Sequence, residues 1–360
     1  MHNSAMVKWH RMDGKEFFQK HKNKIICFFV TLILAIVTIY AVFKGSGISF
    51  EELMQSIRGA SLPGIALAAV CMLGFIYFEG EAVRVIVNHM GYPTKRSHGF
   101  VYSAADVYFS AITPSASGGQ PASAFFMMKD GIPGSAVMAA LLLNLVMYTL
   151  AVVTLGLLNF ICAPGMFLQF GIVGRVLIVC GMAALSGLAI LFYMLLKKRA
   201  IVRRLMTGLA MFLWRIHCKR LAKRLVKKLN KALDEYGRCV SLIFDNKAML
   251  IKVYVLNLLQ RLSQILVTLV AFAALHGDLR TLPKLLATQI YVVLGSNCVP
   301  IPGGVGVTDY LMLNGYKQLM EKTQAYQLEI LSRGLSFYVC IFVSMVTVAL
   351  GYLVIRKRNK

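Results

Sequence analysis

Arg261 stands in LNLLQRLSQILVTLV, nine residues beyond Lys252, with Asn257, Gln260 and Gln264 on the neighbouring turns of the helix such a run forms. A charge that deep in an apolar stretch is expensive and is retained for what it binds. A guanidinium meets a phosphate through two parallel hydrogen bonds, and that is the chemistry this position offers. The competing use is a structural ion pair with Asp106 or Asp309. Asp106 lies in FVYSAADVYFSAIT, as a buried acid or a helix cap. Glu79 and Glu81 close another apolar run, with Arg84 one turn on. Glu81 and Arg84 are three residues apart, which lets them pair on one helix face, either inside the membrane or as a solvated interfacial cluster. Arg333, with Glu329, opens the last apolar run as a site or a rim residue.

Two stretches broken by proline and glycine carry the remaining candidates: AITPSASGGQPASAFF (111–126) and VPIPGGVGVTD (299–309). Gly118, Gly119 and Gln120 belong to the first turn; Gly303, Gly304 and then Asp309 belong to the second. Successive backbone N–H groups beside half-helix N-termini can hold an anion. The GGVG run is no dinucleotide loop, because no strand precedes it and no phosphate-binding lysine follows. HExxH, GxSxG and paired-cysteine patterns are absent, and the seven histidines are dispersed. These residues therefore predict no catalytic group, no metal and no cofactor, and point to binding instead.

The elements that position these groups follow from composition. Of 360 residues, 58% are hydrophobic, and several runs reach the roughly 20 residues that cross a bilayer. The net charge of +24 would suggest nucleic acid in a soluble protein. Here it is concentrated in an N-terminal arm, a central segment and a C-terminal tail, which places all three in the cytoplasm. Eight scattered cysteines give no disulfide framework or zinc site. The first apolar run has no small-residue cleavage site and reads as a retained span.

The fold class predicted is an all-α polytopic membrane protein with about six full spans: 25–43, 62–80, 133–160, 172–196, 248–275 and 331–355. Two re-entrant hairpins complete it. The chain divides into a basic cytoplasmic arm (1–24), a first membrane half (25–196, with hairpin 99–128), a basic amphipathic cytoplasmic segment (197–247), a second membrane half (248–355, with hairpin 285–318) and a basic tail (356–360). Gly118 and Gly303 are 185 residues apart, and the same offset carries the run at 62–80 onto the run at 248. The charge pattern orients those two runs oppositely, which predicts an inverted repeat with its substrate site at the repeat interface, as in secondary transporters. The central segment, with LAKRLVKKLNKAL, reads as a basic amphipathic helix drawn to anionic headgroups.

Together TPSASGGQPASAFFMMKDGIP, VPIPGGVGVTD and the basic loop between them resemble the integral-membrane domain of lysylphosphatidylglycerol synthases, or multiple peptide resistance factors, over about residues 20–355. The resemblance implies a flippase that carries aminoacylated phospholipid to the outer leaflet of a bacterial plasma membrane, with both termini cytoplasmic. The family's lysyl transfer from lysyl-tRNA to phosphatidylglycerol belongs to a separate soluble domain, for which the five residues after the last span leave no room. The expected partners are a phospholipid with an anionic or aminoacylated headgroup and a separate synthase protein, with no nucleic acid unless the chain is itself the lysyltransferase. A small-anion transporter is the further alternative, and an oligomer is compatible with any of these. Arg261, Asp106 and the glycine turns are the lipid-handling candidates the resemblance carries over.

Overall fold

The structure, a computed structural model, describes residues 50–113, 116–197, 208, 211, 235–298, 304 and 306–358. The expected span 25–43, the basic arm 1–24, Gly303 and most of the basic segment 197–247 lie outside the described residues. Each long apolar run described is α-helical, because backbone groups in lipid must bond within their own segment. Short α1 (Phe50–Gly59) leads into α2 (Leu62–His89), α3 (Arg96–Ile112) and α4 (Gly119–Lys129). Then come α5 (Gly134–Cys162), short α6 (Pro164–Leu168) and α7 (Ile172–Lys197). After a helical stretch at 235–245 follow α8 (Lys247–Ala274), α9 (Leu282–Ser296), α10 (Val307–Tyr316) and α11 (Lys322–Arg333). A π-helical stretch, Gly334–Val339, joins α11 to α12 (Cys340–Arg358).

Five of these segments are long and apolar enough to span a bilayer: 62–89, 134–162, 172–197, 247–274 and the continuous run 322–353. The chain is thus an all-α polytopic membrane protein. The last span begins nine residues earlier than hydropathy predicts. Its first turns, KTQAYQLEILSR, are polar on one side yet bury Ala325, Leu328, Glu329 and Leu331 on the other.

The two hairpins are α3–α4 and α9–α10. Their second limbs have 11 and 10 residues, about 16 and 15 Å of helix against a hydrocarbon core of about 30 Å. The first hairpin is closed at its base, where Asp130 Oδ2, just past α4, accepts from Tyr102 Oη (2.5 Å) and contacts His98 Nδ1 (2.7 Å), both on α3. Its ends therefore lie together, as re-entry requires.

The internal repeat is visible in the helix bounds. Shifting α2 by 185 residues gives 247–274, the bounds of α8; shifting α3 gives 281–297 against 282–296 for α9. The equivalent helices α2 and α8 pack side by side and antiparallel. The Ser61 N–H at the start of α2 donates to Ala274 O at the end of α8 (2.8 Å), while Glu79, far along α2, meets Gln260 (3.1 Å). The inversion read from charge is present in this pair.

Small residues let these helices touch backbone to backbone. A Cβ at Gly80 would collide with the Gly99 carbonyl where α2 crosses α3. Gly80→Ala is therefore expected to destabilise the protein by about 1–3 kcal/mol, read as a lower thermal midpoint in detergent. Gly187→Ala, where an added Cβ meets nothing within 4 Å, is the matched control and should leave the midpoint unchanged.

Candidate functional site

The tips of both hairpins converge on a polar cavity of about 380 Å³. Arg261, Gln264 and Thr268 line it from one face of α8, since residues three and four apart share a helix face. Tyr148 enters from α5, and Arg333 and Phe337 from the last span. The second hairpin supplies Gln289, Ser296, Asn297, Gly304 and Thr308, and the first hairpin reaches the cavity with Ala116. Ala116 has φ 52°, an uncommon backbone for a residue with a Cβ, and it holds the first tip in its turn.

Arg261 is buried, with 6% of its surface exposed. Its Nη1 donates to Gln264 Oε1, and its guanidinium stacks over the rings of Tyr148 (4.6 Å) and Phe75 (5.9 Å). Its Nε finds no hydrogen-bond partner. Among the described residues it forms no ion pair, so the structural pairing with Asp106 or Asp309 left open by the sequence is not made. A buried guanidinium held by a neutral amide and two ring faces retains donor capacity for an anion.

Arg333 is buried rather than at a rim, and so is Glu329, one turn earlier. Arg333 Nε lies 2.8 Å from Asp309 Oδ1 and its guanidinium stacks over Phe337 (5.0 Å). The other Asp309 oxygen accepts the Gly306 N–H (2.8 Å), which caps α10. Gly306 has φ 82°, a conformation that favours glycine. Asp309 thus ties the second hairpin to the last span through Arg333.

Behind Arg261 lies a second polar cluster. Glu79 Oε2 accepts from Ser103 (2.9 Å) and Gln260 (3.1 Å). Asp106 accepts from Ser110 (3.1 Å) and from Gln120 Nε2. A Cβ at Gly119 would collide with Asp106 Oδ1 and Ser110 Oγ, so glycine is what lets the first tip close over this carboxyl.

With this geometry in place, the chain was compared with known proteins. Residues 19–344 match the family described as the lysylphosphatidylglycerol synthase TM region. The chain belongs to that family. A search of curated proteins finds no match.

In this lysylphosphatidylglycerol synthase TM-region protein, the cavity gathers Arg261, Gln264, Gly304 and Arg333 from the sequence candidates. Asp309 joins through Arg333, and Glu79, Asp106, Gly119 and Gln120 form the adjoining cluster. Gly118 serves the first tip itself, its N–H donating to Thr113 Oγ1 (2.8 Å). Glu81 and Arg84 pair with each other as their spacing predicts (2.5 Å) and do not line the cavity. Tyr148, Gln289, Ser296, Asn297 and Ser332 line the cavity and escaped sequence reasoning, being neutral. One signal could have found Tyr148: the 185-residue offset makes it the equivalent of Arg333, as it makes Glu79 the equivalent of Gln264. Equivalent positions meeting at one cavity place it on the repeat boundary. Among the described residues no group of three His, Cys, Asp or Glu could hold a metal.

Proposed function

We propose that this protein is a phospholipid translocase that takes an anionic or aminoacylated headgroup, such as that of lysylphosphatidylglycerol, into the cavity between the hairpins. The acyl chains stay in lipid. The observation that carries this reading is Arg261: a buried guanidinium in the wall of a cavity on the repeat boundary, with no ion pair among the described residues. A volume of about 380 Å³ suits a headgroup without its chains, within the roughly 300–1,000 Å³ common for small-ligand sites. The phosphate would lie against Arg261, with amides of the hairpin tips and the hydroxyl and amide groups of Ser296, Asn297 and Thr308 around it. The setting is a bacterial plasma membrane with both termini cytoplasmic, where the basic segment 197–247 would concentrate anionic lipid at the inner leaflet.

The family's name favours one second reading, that the chain is a phosphatidylglycerol lysyltransferase. One experiment separates the two. The protein is reconstituted into vesicles carrying lipids with fluorescent headgroup-proximal labels, and leaflet exchange is followed by quenching of the outer leaflet. Quenching beyond the outer-leaflet half is expected for phosphatidylglycerol and lysylphosphatidylglycerol. No exchange, together with new lysylphosphatidylglycerol in lipids extracted from a host that lacks it, would replace the translocase with the transferase. Movement of free phosphate alone would make the protein a small-anion transporter.

A further inference from the structure

Two arginines supply the charge in the cavity wall, and they differ in what offsets them. Arg333 lies 2.8 Å from Asp309, whereas Arg261 meets the neutral Gln264 and the rings of Tyr148 and Phe75. Among the described residues the wall therefore carries one positive charge without a carboxylate in contact with it, which one phosphodiester would balance. Glu79, Asp106, Asp309 and Glu329 are not among the residues that line the cavity. Three of them face other partners: Asp309 meets Arg333, Glu79 accepts from Ser103 and Gln260, and Asp106 accepts from Ser110 and Gln120. In sequence both hairpin tips, TPSASGG and NCVPIPGGVG, are free of acids.

The rest of the polar wall is neutral. Gln264 and Gln289 use their side-chain oxygens to accept from Arg261 and from Tyr316, which leaves their amide N–H groups to donate. Asn297 donates through Nδ2 to Val293 O (2.7 Å), leaving its side-chain oxygen to accept. The Thr268 and Ser332 hydroxyls stand 2.6 Å apart, and each has capacity for a further bond. A ligand hydroxyl, which both donates and accepts, matches such a set; an ammonium, which only donates, matches half of it. Aromatic faces also receive cations, but Tyr148 and Phe337 at the cavity each already hold a guanidinium.

We propose that the cavity selects a monoanionic phosphodiester ending in an uncharged polyol, the headgroup of phosphatidylglycerol, over the lysyl ester of that headgroup. This deepens the headgroup reading of the cavity and rests on it. The phosphate balances Arg261, and the two glycerol hydroxyls exchange hydrogen bonds with the amides and hydroxyls of the wall. Lysyl esterification turns one of those hydroxyls into an ester oxygen that no longer donates. It also brings a side-chain ammonium that stays charged near neutral pH into a space bounded by two guanidiniums, with no carboxylate in the described wall to receive it. A charge taken out of water without a partner is costly, so aminoacylated lipid is the poorer ligand of the two.

The test titrates short-chain phosphatidylglycerol, short-chain lysylphosphatidylglycerol and glycerophosphoglycerol, the same headgroup without its chains, into the full-length protein in detergent. Binding that Arg261→Ala abolishes is counted as the cavity's, which separates it from attraction to the basic surface. Phosphatidylglycerol is expected to bind the cavity at least about tenfold more tightly than lysylphosphatidylglycerol, with glycerophosphoglycerol a weaker competitor. Gln264→Glu and Gln289→Glu keep the oxygens that accept from Arg261 and Tyr316 and add a carboxylate to the wall. Each should narrow the preference at least several-fold, and two variants guard against one that misfolds. Equal or tighter cavity binding of lysylphosphatidylglycerol by the unmodified protein would overturn the selectivity and leave the headgroup site standing. A preference unchanged in both variants would overturn its assignment to the charge of the wall. Glycerophosphoglycerol binding as tightly as the lipid would make the ligand a soluble phosphodiester and overturn the lipid assignment. No Arg261-dependent binding of either lipid would overturn the headgroup reading, and the selectivity with it.

Discussion

Arg261→Ala is expected to slow lipid translocation by about 10- to 100-fold in reconstituted vesicles, with the protein still folded and monodisperse. Hydrogen bonds to a charged group contribute about 1.5–3 kcal/mol, and each 1.4 kcal/mol is a factor of ten in rate. The effect falls on function rather than stability because Arg261 has no carboxylate to abandon: it is held by Gln264 and by the faces of Tyr148 and Phe75. Arg261→Lys should be intermediate, since an ammonium keeps the charge and loses the planar two-pronged donor and its fit on the rings. Unchanged exchange in Arg261→Ala, measured by outer-leaflet quenching, would remove Arg261 from the site.

Arg333→Ala should act in the opposite way, mainly on stability. Its guanidinium offsets both Asp309 and Glu329, all three largely out of water. Removing one member of a buried ion pair typically costs about 3–5 kcal/mol, because a charge is left without compensation. A large drop in the thermal midpoint is therefore expected, measured as loss of the far-ultraviolet helical signal on heating in detergent. Neutralising the partner should restore part of the loss: Arg333→Ala combined with Asp309→Asn is expected to melt above Arg333→Ala alone. If the single variant melts like the unmodified protein, the pair contributes nothing to stability, and Arg333 would be held by its packing on Phe337.

The five described spans were legible in the sequence because lipid demands long apolar runs, and both hairpins because Pro114, Gly118, Pro300 and Gly303 interrupt such runs. The inverted relation was legible from the 185-residue offset and the distribution of basic residues, and α2 against α8 bears it out. What escaped reading depends on tertiary packing. Whether Glu329 and Arg333 were site or rim residues stayed open because hydropathy starts the last span at 331, whereas the amphipathic turns from Lys322 extend that helix and carry both residues inside. Glu79 and Ser103 are 24 residues apart on different helices, and nothing local says that they meet; the Gly80–Gly99 backbone contact brings α2 and α3 close enough. The freedom of Arg261 was equally hidden, because sequence supplies candidate carboxylates without saying that Asp309 is engaged by Arg333.

The most direct measurement is where a lipid headgroup sits. A phosphatidylglycerol carrying a photoactivatable group on its headgroup would be cross-linked to the reconstituted protein and the modified peptides identified by mass spectrometry. A headgroup between the hairpins predicts adducts on the cavity faces of α8 and α9, near Gln264, Thr268, Ser296 and Asn297, reduced in Arg261→Ala. Adducts confined to the lipid-facing surface of α7, at Val176, Val179, Leu188 and Ile190, would contradict a headgroup site in the cavity.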